Sequence, residues 1–140
     1  PNLTISGNNS SRIFYVQSTG VQPTTFTVQN LTLANAYTSE NGGAIYAEFR
    51  ANTVINNVTF NANTADKGGG GIYSAWETNL SVNNSRFTNN IAVAANDERG
   101  AGGIAFVSPG TFTVTNSLFE GNKGINGAAI NSLNGKLTIE

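Results

Sequence analysis

The sequence predicts an all-β chain folded as a single-stranded parallel β-helix of about five coils, each built from three short strands. Three observations carry that reading. An apolar residue followed two places later by Asn recurs at Val28/Asn30, Ile55/Asn57, Val82/Asn84 and Val114/Asn116, so the Asn residues are spaced 27, 27 and 32 apart. Three residues beyond each Asn stands a large apolar side chain, Leu33, Phe60, Phe87 or Phe119, and three further on come Asn63, Asn90 and Asn122, with Ala36 in the equivalent place of the earliest copy. A Gly-rich turn then leads into Ile45, Ile72, Ile104 and Ile130. Self-similarity at periods of about 20 to 50 residues marks solenoids, propellers or arrays. A β-sandwich also offers frequent short strands, but it does not predict that every third strand is a copy of the same one.

Composition narrows the chemistry. The 140 residues suit a single domain, with 39% hydrophobic and 11% charged residues and a net charge of -1. The chain has neither Cys nor His, which removes disulfides, thiolate metal sites and the commonest general base and metal ligand. No apolar run approaches the ~18 residues of a spanning helix, so no membrane insertion is expected, and the first residues lack the basic and apolar regions of a signal peptide. Interspersed charges provide no basic stripe, which argues against nucleic acid as a partner. Abundant Asn, Thr and Gly disfavour helix.

Taken in order, residues 1–25 read as a degenerate first coil, in which Leu3-Thr4-Ile5 matches the later strand start Phe26-Thr27-Val28 and Arg12 to Val16 supplies a second strand. Ser18 to Thr25, with Gly20 and Pro23, is expected to be a surface turn. Residues 26–133 hold the regular repeats. Their first strands alternate, with Phe26/Val28, Thr53/Ile55, Leu80/Val82 and Phe112/Val114 on one side and polar neighbours on the other, the signal of a half-buried strand. Second strands carry Leu31/Leu33, Val58/Phe60, Ser85/Phe87 and Ser117/Phe119; third strands carry Ile45/Ala47, Ile72/Ser74, Ile104/Phe106 and Ile130/Ser132. Residues 134–140 begin a further coil, with Leu137-Thr138-Ile139 in the place of Leu3-Thr4-Ile5. Asn at a tight bend tolerates left-handed backbone, and stacked amides can bond one another. Asn30, Asn57, Asn84 and Asn116 are therefore expected to form an inward ladder, which would close the N-x-[ST] sequons at Asn30 and Asn57 to glycosylation; Gly7 would take the matching place in the first coil. Gly43, Gly70 and Gly102 are expected where stacked backbones approach closely.

The paired motifs point to a family. GGAI at Gly42 to Ile45, FNAN at Phe60 to Asn63, GGGI at Gly69 to Ile72, FTNN at Phe87 to Asn90 and FEGN at Phe119 to Asn122 together resemble the polymorphic outer membrane protein repeats, over roughly Phe26 to Ile130. These repeats are best known from chlamydial surface autotransporters. The resemblance implies a right-handed β-helix of pectin-lyase-like architecture, a bacterial cell-surface or extracellular location and a link to adhesion. The absence of a six-residue period agrees with that hand.

Candidate sites lie between the motifs. Glu40, Asp66, Asp97 and Glu98 fall in the loop before the Gly turn, where stacking would place them in one column. They read as solvated loop charges, as a Ca²⁺ site, which needs six to eight oxygens, or as a catalytic carboxylate pair. No other cofactor is expected. Tyr46 and Tyr73 should face outward on adjacent coils, with Phe49 and Trp76 at the next corner, as a patch for a sugar or protein. Thr4, Thr27, Ser81, Thr113 and Thr138 line the outside of the first strands, as ordinary β-propensity allows. The expected function is a non-enzymatic extracellular module of a bacterial surface protein, a structural stalk or adhesin. The alternatives are a filament subunit that stacks end to end through its open coils, and a polysaccharide-active enzyme or its vestige. Expected partners are other copies or the rest of a longer solenoid, and a host or cell-surface protein or glycan.

Overall fold

A computed structural model describes residues 3–93 and 100–140. Among them there is no helix, and every strand pairs in parallel with its copy one coil along. The first-strand sheet stacks Thr24–Gln29, Ala51–Asn56, Leu80–Asn83, Thr111–Thr115 and Lys136–Ile139. The second-strand sheet stacks Thr4–Ser6, Thr32–Ala34, Thr59–Asn61, Arg86–Thr88 and Leu118–Glu120. The third-strand sheet stacks Phe14–Gln17, Ile45–Glu48, Ile72–Ala75, Ile104–Val107 and Ile130–Leu133. A fourth, narrow strip joins Tyr37–Thr38, Thr64–Ala65 and Ile91–Ala92, with Lys123 bridged to Ile91. The three sheets wrap one apolar column, and the chain is a β-solenoid of about five turns.

Register follows the sequence repeat. Val28, Ile55, Val82, Val114 and Ile139 align across the first sheet, and Phe14, Ile45, Ile72, Ile104 and Ile130 across the third. The first coil departs from expectation. Ile5 pairs with Leu33 in the second-strand sheet, and Tyr15 pairs with Tyr46 in the third. The cause lies at Gly7, where a Cβ would stand 2.6 Å from the Ala36 Cα and 2.3 Å from the Ser11 carbonyl oxygen. Gly7 is thus held against the corner at Asn35 and Ala36 rather than standing in for Asn30, and Leu3 to Ile5 lies in a different sheet from Leu137 to Ile139.

The FxxN motif is the interior. Phe60, Phe87 and Phe119 stack with centroids 4.4 and 4.7 Å apart and planes 5° from parallel, a spacing imposed by the ~4.8 Å between neighbouring strands. Phe60 and Phe87 are fully buried, and full burial of a large apolar side chain is worth roughly 1.5–3 kcal/mol. Beside the rings runs a buried amide ladder. The Asn63 Nδ2 donates to the Leu33 carbonyl of the coil before and to the Asn90 Oδ1 of the coil after, at 3.0 and 2.9 Å. Asn90 repeats this with the Phe60 carbonyl and the Asn122 Oδ1, both at 3.0 Å. Its own Oδ1 accepts from both the backbone N–H and the Nδ2 of Asn63. All four bonding positions of the Asn90 amide are filled, so burial leaves nothing unsatisfied. Above Asn63 the column ends on the backbone N–H of Ala36, which donates to the Asn63 Oδ1 at 3.0 Å.

The predicted inward ladder at Asn30, Asn57, Asn84 and Asn116 is corrected. All four are exposed, with φ of 58, 52, 47 and 47°. Left-handed backbone at the bend turns their side chains out, and the Asn57 Nδ2 donates to the Asn30 Oδ1 at 2.9 Å on the surface. The argument that burial closes the sequons therefore fails for Asn30 and Asn57. The GGxI turn is a matter of space. A Cβ on Gly43 would lie 2.2 Å from the Gly70 carbonyl oxygen, one on Gly70 would lie 2.5 Å from that of Ile91, and one on Gly102 would lie 2.4 Å from that of Lys123.

Candidate functional site

The outer face of the third-strand sheet and the corner that follows it hold the side chains that the interior does not use. The residue after each inward Phe or Ile faces out, which places Tyr15, Tyr46 and Tyr73 in one row. Their rings meet edge to face, at 5.4 and 5.2 Å between centroids. The Arg12 guanidinium covers this row, 5.9 Å from the Tyr15 ring and 5.3 Å from the Tyr46 ring. It donates to the carbonyls of Gly42 and Asn41 at 2.9 and 2.7 Å and to the Thr38 hydroxyl at 3.2 Å. Glu48, itself buried, accepts from the hydroxyls of both Tyr15 and Tyr46.

The electrostatics follow from these contacts. The hydrogen bond to Glu48, with some burial, pushes the Tyr15 phenol up to about 12. Burial first, then the bond to Glu48, pushes the Tyr46 phenol up. Desolvation pulls the Arg12 guanidinium below its ordinary value, opposed by the neighbouring phenols and carboxylates. Both phenols therefore stay protonated at neutral pH and serve as donors to a fixed carboxylate. Arg12, Tyr15 and Glu48 escaped the sequence reading. Phe14-Tyr15 is the same apolar-Tyr pair as Ile45-Tyr46 and Ile72-Tyr73, and that signal was present in the first coil.

Tyr73 is corrected as a contact residue. It lies on the outer face as expected but is only 2% exposed, packed with Ala75, Ala101 and Ala105 and flanked by Tyr46 and Val107. Tyr46 is partly buried. Accessible aromatic surface sits at Tyr15, 51% exposed at the start of the row, and at the corner, where Phe49 is 53% and Trp76 61% exposed. Their rings lie 6.3 Å apart and 11° from parallel. The corner is turned by Phe49-Arg50 and Trp76-Glu77, and all four residues have positive φ, at 49, 64, 60 and 61°. For bulky side chains such backbone is a true outlier. Arg50 spans the two coils, its Nε donating to the Glu77 Oε2 at 2.6 Å and its Nη1 to the Val21 carbonyl at 3.0 Å. A cleft of 360 Å³ opens beside the rings, lined by Ser18, Thr19, Gly20, Phe49, Arg50, Trp76 and Glu77. Across Trp76 a second hollow reaches Tyr73, Val107 and Pro109.

The acids do not form the expected column. Glu40 lies over Lys67, with which it is paired, and Asp66 accepts from the Tyr37 hydroxyl at 2.8 Å. Coil pairing sets Thr38 against Ala65, so each acid falls one step from the other. Asp97 and Glu98 lie outside the described residues. Among the described residues, no three acidic, His or Cys side chains gather as a metal site would require.

Fold and surface together define a β-solenoid whose motifs are interior and whose most exposed aromatic rings, among the described residues, are Trp76 and Phe49 at one corner. Residues 2–48 and 57–75 match the family model of the Chlamydia polymorphic membrane protein repeat. Over those residues the chain is similar to that repeat, and the match begins in the first coil, ahead of the stretch from Phe26 whose motifs carry the resemblance. No curated protein and no solved structure gives a significant match.

Proposed function

We propose that this chain is a non-enzymatic β-solenoid module of a bacterial surface protein, displayed at the outer membrane, which holds a contact surface at a fixed place on a rigid stack. The family match supports a surface location, since the repeat takes its name from membrane proteins. The observation that carries the reading is a division of labour. Phe60, Phe87, Asn63 and Asn90 are wholly buried, whereas Phe49 and Trp76 are exposed on backbone that disfavours them. Exposed apolar surface of this kind marks interaction sites. Against an enzyme, the buried carboxylate of Glu48 is held by two phenols rather than paired with a second acid.

The test is adhesion of beads coated with the folded chain to cultured epithelial cells. Binding that falls to background in Trp76→Asn, with an unchanged melting curve, is the expected result. Equal binding by the two proteins, or none by either, would overturn the proposal.

A further inference from the structure

We infer that the cleft beside Phe49 and Trp76 is a binding site for a neutral carbohydrate, a pyranose seated against the aromatic pair with its hydroxyls on the polar rim. The inference deepens the surface-contact reading above and rests on it. Two independent observations point to a ligand here. The rings are large, parallel and more than half exposed, and the backbone beneath them is left-handed at four bulky residues. Strained backbone clusters at ligand sites, where surrounding structure holds it in place.

The two rings lie 6.3 Å apart as an offset stacked pair, and more than half of each stays exposed, so ring surface is left for another group. The negative face of an aromatic ring attracts the positive edge of a C–H bond, and a pyranose presents several such bonds on one side. The rim selects among apolar ligands. Arg50 and Glu77 neutralise each other at 2.6 Å, both partly exposed. An anionic ligand would face the Glu77 carboxylate, and a cationic one the Arg50 guanidinium. A hydroxyl both donates and accepts, so a polyol can bond to Arg50, Glu77, Ser18 and Thr19 together. A proline-rich peptide stacks on aromatic grooves as well, but its tertiary amides offer carbonyl acceptors only and add no donor to Glu77 beyond Arg50. The Trp76 indole N–H has no partner among the described residues, which adds a donor at the ring edge.

Trp76 is the sole tryptophan, so its fluorescence reports on this cleft alone. The experiment titrates the full chain with cellobiose, lactose and mannobiose, and in parallel with a pentaproline peptide. The expected result is a saturable change in Trp76 emission with at least one disaccharide, at a Kd of ~10 mM or tighter, and about tenfold or more weaker binding in Phe49→Ala. Glu77→Gln should weaken the same response severalfold, with both variants melting as the parent does. Silence with all three sugars, a response that survives Phe49→Ala, or saturation by pentaproline alone would overturn the carbohydrate assignment. Where bead adhesion still depends on Trp76 but no sugar acts, the carbohydrate inference falls and the surface-contact reading stands. Where adhesion ignores Trp76, both fall.

Discussion

The corner after the first strand and the corner after the third turn through the same left-handed backbone and are filled in opposite ways. Asn30, Asn57, Asn84 and Asn116 hold the first, with φ between 47 and 58°. Asn visits this region readily because its short amide bonds locally, and the Asn57–Asn30 bond adds a link between coils. Phe49-Arg50 and Trp76-Glu77 hold the second at φ of 49 to 64°, where the left-handed form costs roughly 1–2 kcal/mol per residue. The stack itself does not require this, because the next coil turns the same corner with Ser108-Pro109, neither at positive φ, and the last with Asn134-Gly135. One corner is therefore architecture, and the other keeps aromatic rings in water against a conformational cost.

Substitutions can break that comparison or sharpen it. Asn90→Ala sets the scale of pure architecture. It removes a fully bonded amide, leaves the Asn63 backbone N–H without its acceptor, and takes one partner each from the Asn63 Nδ2, the Phe60 carbonyl and the Asn122 Oδ1 in the core. Each buried group left unpaired costs about 1–3 kcal/mol, so a loss of ~4 kcal/mol or more is expected in urea denaturation. A loss near 1 kcal/mol would show that the ladder is not what holds the coils. Gly70→Ala comes next, because its Cβ would lie 2.5 Å from the Ile91 oxygen and 2.6 Å from the Gly102 oxygen, backbone on both sides. A loss of about 2–3 kcal/mol is expected by the same denaturation.

Asn57→Ala tests the first corner, with an expected loss of about 1 kcal/mol from left-handed backbone. Alkaline pH probes the Tyr row beside the second corner. Folded Tyr15 and Tyr46 hold their protons above the ordinary value of 10, Tyr15 up to about 12. The Tyr15 contribution to stability is full below pH 10 and is lost as pH rises through about 12. Melting temperatures measured across that window should fall, and less steeply in Glu48→Gln. Trp76→Asn is the smallest effect, within ~0.5 kcal/mol of the parent, since relief of strain offsets the loss of ~0.5–1.5 kcal/mol of aromatic contact.

The sheets and their registers were legible because each inward residue repeats with its neighbours, as Ile45, Ile72, Ile104 and Ile130 do after their glycines. The first coil was not, because Leu3-Thr4-Ile5 is a generic β tripeptide and only the contact of Gly7 with Ala36 fixes its sheet. The inward Asn ladder was expected at the wrong bend for a physical reason: both Asn columns sit at bends, and sequence does not say which way a bend turns its side chain. A clue existed in Ala36, since an apolar replacement suits a buried column and left-handed corners favour Asn or Gly. The narrow strip at Tyr37–Thr38 was missed because two residues are too few to show alternation. Of the candidate contact residues, Trp76 is accessible and Tyr73 is not, because burial on the outer face depends on Ala101 and Ala105 of the following coil.

On the proposed function, the repeat motifs serve the stack while the aromatic corner serves a partner. The most direct measurement pairs Asn57→Ala with Trp76→Asn and records, for each, the urea midpoint and bead adhesion to cells. Asn57→Ala should lower the midpoint and keep adhesion under folded conditions, whereas Trp76→Asn should keep the midpoint and lose adhesion. A Trp76→Asn protein that unfolds as early as Asn57→Ala, or that adheres as well as the parent, would contradict it.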